Sequence, residues 1–130
     1  ARVNPSARPV IVATDRNPQA MKVTQDNARR AGVLTYLTLA TGDLHETPIP
    51  ADPGVIMMNP PYGTRMRDQQ ALANEYQQMG NFLKNHAKGY QAFVFTGNQQ
   101  LAKHIGLKTD RRLRFYNGKL ECRLLSYSIY

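Results

Sequence analysis

A mostly parallel α/β sheet ending in an antiparallel hairpin is the fold class this sequence predicts, on three observations. Short apolar runs alternate with helical periods from about residue 10 to residue 106. The runs are separated by Gly, Pro, Asn and Asp turn signals. Two alternating runs flank Asn117-Gly118 near the end, the strongest short signal for a hairpin. Sheets of this kind have both faces covered, so their strands read as continuous apolar stretches.

Length and composition set the bounds. With 130 residues the chain is one domain, and one of this size buries roughly two-thirds of its unfolded surface. No apolar run approaches the ~20 residues that a membrane span needs. The lead Ala1-Arg2-Val3-Asn4-Pro5 lacks the apolar core of a secretory signal. The single cysteine, Cys122, permits no internal disulfide and makes a reducing cytoplasm the default. His45, His86 and His104 lie far apart without ligand-like spacing, so no metal is expected. The net charge of +8 is concentrated at the two ends, with seven Lys/Arg against two acids in residues 99–130 and six against two in residues 1–35. Both ends could face phosphates, or be solvated basic surface.

In chain order, the polar lead 1–9 has no period and reads as a linker or the tail of a removed segment. Val10 to Thr14 is a β-branched strand that ends at Asp15, and Asn17-Pro18 caps and begins a helix. Ala20, Val23, Thr24, Asn27, Ala28 and Ala31 predict its inner face, and Gly32 its end. Leu37 to Ala40 is a second strand, turned out by Thr41-Gly42-Asp43. A loop with three prolines leads to a strand at Val55. Ala71, Leu72, Tyr76, Met79, Leu83, His86 and Ala87 keep a helical rhythm to about residue 88. Gly80 interrupts it, at a cost near 1 kcal/mol relative to alanine unless something packs closely there. Gln91 to Thr96 is another strand, followed by Gly97-Asn98 and a short helix ending near Gly106. In the hairpin, Leu113 and Phe115 share a face, as do Leu120, Cys122 and Leu124, which makes Cys122 a core residue.

The chain is organised around Val55 to Gly63, Val-Ile-Met-Met-Asn-Pro-Pro-Tyr-Gly. Four apolar residues predict a fully buried strand that Asn59-Pro60-Pro61 must stop, because neither proline can donate a ladder hydrogen bond. An amide, a free carbonyl and an aromatic ring are thereby fixed at a strand's carboxyl end, where ligands bind in open α/β sheets. The Asn59 side-chain oxygen and the Pro60 carbonyl suit the two hydrogens of an exocyclic amine, and Tyr62 suits stacking on the attached ring.

Asn59-Pro60-Pro61-Tyr62 resembles the Asn/Asp-Pro-Pro-Tyr motif of S-adenosylmethionine-dependent amino-group methyltransferases. The extended form Asn59 to Arg65, with the closing Asn117-Gly118-x-Leu120-x-Cys122, is most similar to guanine-N2 RNA methyltransferases that carry a THUMP domain upstream. The resemblance implies a Rossmann-like methyltransferase fold and S-adenosylmethionine as cofactor. It implies catalytic roles for Asn59, Pro60, Pro61 and Tyr62, and cofactor contacts from Asp15 to the ribose hydroxyls, from Asp43 to the adenine amine, and from Asn59. For Asp15 and Asp43, plain turn residues are the bland alternative. Tyr62, Arg65 and Arg67 are the RNA contacts implied, the two arginines being equally readable as solvated loop residues. Lys108, Arg111, Arg112 and Arg114 make a second phosphate track or an ordinary solvated surface.

The family pattern has an earlier central strand and a glycine-rich turn, and none of the nine glycines here forms Gly-x-Gly. Without that strand two buried strands lose a neighbour, at about 1–3 kcal/mol per orphaned buried group. Residues 10–130 are therefore expected to be the second part of a catalytic domain excised from a longer enzyme. The activity implied is methyl transfer to guanine N2 in ribosomal RNA. Adenine N6 or a glutamine amide remains open as acceptor, as does a non-catalytic RNA-binding fragment.

Overall fold

The structure is a computed structural model and describes residues 9–63 and 68–130. The lead 1–8 and the arginines Arg65 and Arg67 lie outside the described residues. The chain divides into two compact units, Ala1–Pro50 and Ala51–Tyr130.

The first unit is a strand–helix–strand motif. Strand β1 (Ile11–Asp15) runs straight into helix α1 (Pro18–Arg30) and strand β2 (Leu37–Thr41). The two strands pair in parallel, with Ile11 opposite Leu37 and Asp15 opposite Thr41. Asn17 starts α1 as expected, its side chain accepting from the Gln19 amide ahead of a first-turn proline. The inner face of α1 differs from the one expected. Met21 and Ala28, seven residues apart, are its buried residues, while Val23 is exposed. The long Met21 side chain, not the β-branched Val23, sets which stripe turns inward.

The second unit carries a four-stranded sheet in the order β3-β4-β6-β5. Strand β3 (Val55–Met58) is parallel to β4 (Gln91–Thr96) and joined to it through helix α2 (Gln69–His86). A short helix α3 (Gln99–Ala102) and a 3-10 turn at Lys103–Ile105 follow, closed by Gly106 at a φ of 72°. The hairpin of β5 (Arg111–Asn117) and β6 (Leu120–Ser128) completes the sheet antiparallel to β4. Its turn lies one residue later than Asn117-Gly118 suggests. Asn117 still pairs with Leu120, so Gly118 and Lys119 are the loop, and Gly118 takes the positive φ, 65°.

The core of this unit is built on α2. Leu72, Ala73, Tyr76, Met79, Phe82 and Leu83 are buried on one face, together with Ala92 and Val94 of β4 and Leu125 and Tyr127 of β6. Gly80 earns its place in the helix. A Cβ there would sit 1.8 Å from the Ile105 carbonyl oxygen, so this close approach is open to glycine alone.

Parallel pairing, strand–helix alternation and the closing hairpin agree with the expected fold class, but the described strands form two sheets. Strand β1 pairs only with β2, and β3 only with β4. The expectation that Val55–Met58 is fully buried is corrected: Val55 and Met57 are 68% and 67% exposed. With one edge unpaired and one face open, solvent reaches the strand, which avoids the cost of orphaned buried groups. Among the described residues, no helix is long and apolar enough to cross a membrane.

Candidate active site

In the first unit, parallel pairing brings the two acidic strand ends together. The Gly42 amide donates to the Asp15 carbonyl at 3.0 Å, so Asp15 and Asp43 emerge from neighbouring strands at the same end. Local backbone holds each carboxylate. Asp15 Oδ1 accepts from the Asn17 amide at 2.8 Å. Asp43 Oδ1 accepts from the Leu44 amide at 2.7 Å, and the Asp43 amide donates back to Glu46 Oε1 at 3.3 Å, a capping box for the 3-10 turn Leu44–Glu46. The turn roles considered for both acids are therefore real. Both residues are exposed; Asp15 keeps a second carboxylate oxygen without a hydrogen bond among the described residues, while the Asp43 side chain also accepts from the Glu46 amide in its capping box.

In the second unit, Asn59 and Pro61 are exposed at the carboxyl end of β3, with Pro60 and Tyr62 half-buried. Three successive carbonyls of this loop are tied down from other elements. The buried Tyr76 hydroxyl donates to the Pro61 carbonyl at 3.0 Å. The Asn98 amide nitrogen donates to the Tyr62 carbonyl at 3.4 Å, and the Gln69 amide nitrogen to the Gly63 carbonyl at 3.4 Å. Gly97 lies so near the Tyr62 ring that a Cβ would meet it at 2.8 Å. The Asn59 side chain and the Pro60 carbonyl have no hydrogen-bond partner among the described residues.

A recess of about 250 Å³ lined by Met57, Phe95, Phe115 and Leu124 reaches Asn59, whose amide is the polar group in an otherwise apolar wall. Burial pushes the Tyr76 phenol above its ordinary value, against the opposing hydrogen bond with Thr96, which keeps it a donor at neutral pH. On the outer hairpin, Arg111, Arg112 and Arg114 are exposed. Arg114 shares Glu121 with Arg123, at 2.7 and 2.6 Å, and the Arg123 hydrogen bond holds that carboxyl below its usual range. The basic track read from the sequence is thus partly neutralised.

Sequence reasoning named the loop and both acids but not Gln69, Thr96 and Asn98, and took Tyr76 as ordinary core. One signal was available: a tyrosine at a core position of an amphipathic helix needs a partner for its hydroxyl.

Parallel strand pairs with covering helices, a closing antiparallel hairpin and an Asn-Pro-Pro-Tyr loop at a strand's carboxyl end define a Rossmann-like methyltransferase domain. The chain belongs to the UPF0020 RMKL-like methyltransferase domain family, whose profile matches residues 1–126. It is 38% identical over 125 residues to the ribosomal RNA large subunit methyltransferase K/L of Syntrophotalea carbinolica, covering 93% of this chain and 18% of that protein. To the protein of the same name from Vibrio campbellii it is 38% identical over 117 residues, covering 88% and 16%. Among solved structures, the SMU.472 methyltransferase complexed with SAH superposes with a TM-score of 0.89 at 25% identity, over 98% of this chain and 33% of that one. TrmN from Thermus thermophilus gives a TM-score of 0.76 at 16% identity, over 93% and 36%. The chain spans about a fifth or less of the length of these curated relatives.

Proposed function

We propose that this chain is part of the catalytic domain of a longer RNA methyltransferase that moves a methyl group from S-adenosylmethionine to the exocyclic N2 of guanine in ribosomal RNA. The observation that carries the reading is the division of acceptors in the loop. The carbonyls of Pro61, Tyr62 and Gly63 are consumed internally, while the Asn59 side chain and the Pro60 carbonyl remain open beside an apolar recess. Two adjacent free acceptors fit the two hydrogens of a planar amine.

The donor set of the first unit fits the cofactor. Asp15 would hold the ribose hydroxyls through the oxygen that its turn leaves unused, and Asp43 the adenine amine through its exposed carboxylate. When bound, the cofactor supplies an electrophilic methyl group on a sulfonium. The chain's own residues do the rest by orientation: Asn59 and Pro60 accept the amine hydrogens and turn the nitrogen lone pair outward, and Tyr62 stacks on the base. Alignment of this kind accounts for a large share of rate enhancement without a side-chain nucleophile. The names of the curated relatives support RNA as acceptor, and the exposed Arg111 and Arg112 suit phosphate contacts. A reducing cytoplasm and an RNA-binding domain elsewhere in the longer protein complete the reading, with Arg65 and Arg67 as further RNA contacts.

The test is Asn59→Ala in the full-length protein, assayed for methyl transfer to RNA, DNA and a glutamine-bearing peptide. Turnover on RNA is expected to fall about 100-fold or more, the scale of losing an orienting contact at the reacting atom, with cofactor affinity nearly unchanged. Full turnover in that variant, or transfer to DNA or peptide alone, would refute it.

A further inference from the structure

We propose that Thr96, Tyr76 and Asn98 form a directional hydrogen-bond relay that positions the Pro60 carbonyl, making them positioning residues for the transfer step. The inference rests on the reading of Asn59 and Pro60 as the amine acceptors.

The need for such a device follows from the loop's sequence. Pro60 and Pro61 have no N–H, so two consecutive residues cannot be fixed by a ladder or a turn of their own. Donors must come from elsewhere, and they come from the start of α2, its middle, and the N-cap of α3.

The direction of the relay follows from counting protons. Tyr76 Oη lies 3.0 Å from the Pro61 carbonyl and 2.7 Å from Thr96 Oγ1. A carbonyl cannot donate, so the single phenolic hydrogen goes to Pro61, and the Thr96 hydroxyl must donate to Tyr76. Thr96 Oγ1 in turn accepts the Asn98 backbone amide at 3.2 Å. The chain Asn98 N–H to Thr96 O–H to Tyr76 O–H to Pro61 C=O is saturated at every link. Bonds in such a series polarise one another in a dry interior, and Tyr76 and Thr96 are both fully buried.

The Asn98 side chain holds the next carbonyls. Its Oδ1 caps α3 by accepting from the Leu101 amide at 3.0 Å, which fixes which end of the amide is nitrogen. Nδ2 then donates to the Tyr62 carbonyl at 3.4 Å and to Gln69 Oε1 at 3.0 Å, leaving Gln69 Nε2 for the Gly63 carbonyl.

Anchoring Pro61 acts on Pro60 because the Pro61 ring locks its own φ. One soft torsion, the Pro61 ψ, separates the anchored carbonyl from the Pro60–Pro61 peptide plane. With Pro61 and Tyr62 both held, that plane has a set direction. The Tyr62 ring, seated on Gly97, has one too.

The experiment uses the full-length protein with an unmodified large-subunit rRNA transcript as acceptor. It compares Tyr76→Phe, Thr96→Val, Thr96→Ser, Asn98→Asp and Asn59→Ala, with thermal melts on each. Tyr76→Phe, Thr96→Val and Asn98→Asp are expected to lower kcat about 10- to 100-fold, the range seen when reacting groups are misplaced by about 1 Å. KM for RNA and Kd for the cofactor should stay within about threefold, and Thr96→Ser, which keeps the hydroxyl, should recover most of the turnover. Tyr76→Phe added to Asn59→Ala should cost less than the product of the two separate losses, since both hold the same amine. Asn98→Asp keeps the α3 cap and the backbone link to Thr96 but turns a carboxylate oxygen toward the Tyr62 carbonyl and Gln69 Oε1, so it tests the side-chain branch, and Thr96→Val against Thr96→Ser decides the matter if Tyr76→Phe melts early. Normal kcat in Tyr76→Phe and Asn98→Asp beside an inactive Asn59→Ala would overturn the relay alone, as would a change confined to KM. Full turnover in Asn59→Ala would overturn the functional reading, and the relay with it.

Discussion

The two units hold their candidate residues in opposite ways. Asp15 and Asp43 are fixed by amides one to three residues away, through a turn and a capping box, over a unit whose buried apolar residues, among those described, are Met21 and Ala28. The Pro61–Gly63 carbonyls are held by side chains from 6 to 36 residues away, over the large core built on α2. A local device survives loosening of its surroundings; a tertiary one transmits it. Asp15 and Asp43 should therefore tolerate changes in packing that the Asn-Pro-Pro-Tyr loop does not.

The sharpest way to break this contrast is at two glycines. Gly80→Ala sets a methyl 1.8 Å from the Ile105 carbonyl oxygen, a backbone atom that cannot swing aside. Overpacking of this kind costs about 3 kcal/mol or more. Because α2 also carries Gln69 and Tyr76, turnover should fall with stability. Gly32→Ala, in the first unit, meets open space and pays only for its φ of 73°, about 1 kcal/mol. Urea denaturation of both variants checks the pair. Equal costs would mean that the second unit yields more easily than its packing implies.

The same contrast separates what was legible in the sequence from what was not. Both acids, the cap at Asn17, the strand Gln91–Thr96 and the loop itself were readable because each is a local pattern. Gly80 was readable as an anomaly but not its cause, since Ile105 lies 25 positions further on. Tyr76, Thr96 and Asn98 were invisible as a group, because nothing in their spacing says that α2 crosses the end of β4. Val55 and Met57 were misread because an apolar run does not reveal whether its faces and edges are covered. The hairpin was found and its turn misplaced by one residue, since Asn-Gly and Gly-Lys can each fill a two-residue loop.

A smaller effect tests the local side. Asp43→Ala removes the acceptor that caps Leu44 and should cost about 1 kcal/mol, whereas Asp43→Asn keeps an acceptor and should cost little. Thermal melts of the two, with cofactor titration beside them, distinguish the cap from the cofactor contact. If Asn retains the melt but loses cofactor affinity, the carboxylate has a role beyond its turn. A matched loss in both variants would mean that the capping box is not what holds this end of β2.

The smallest effect at neutral pH, and the one confined to the tertiary side, is the alkaline limb of stability. Burial raises the phenol of Tyr76 and pushes that of Tyr127 up to about 12, the latter against the opposing charge of Arg112. An unfolded tyrosine ionises near pH 10. Between these values the unfolded chain has released protons that the folded one retains, so stability falls as pH rises. Below about pH 9 the contribution is complete and flat. The urea midpoint should therefore hold steady to about pH 9 and decline above it, and Tyr127→Phe should make the decline shallower. In Tyr76 the same ionisation removes the hydrogen given to Pro61. Because the folded chain keeps the Tyr76 hydrogen beyond the pH at which an unfolded tyrosine loses it, turnover lost through this relay bond should set in later on the alkaline side than the decline in stability. If Tyr76→Phe and Tyr127→Phe both leave the alkaline decline unchanged, its origin lies outside the core that holds the loop, and the division between local and tertiary support fails at its tertiary end.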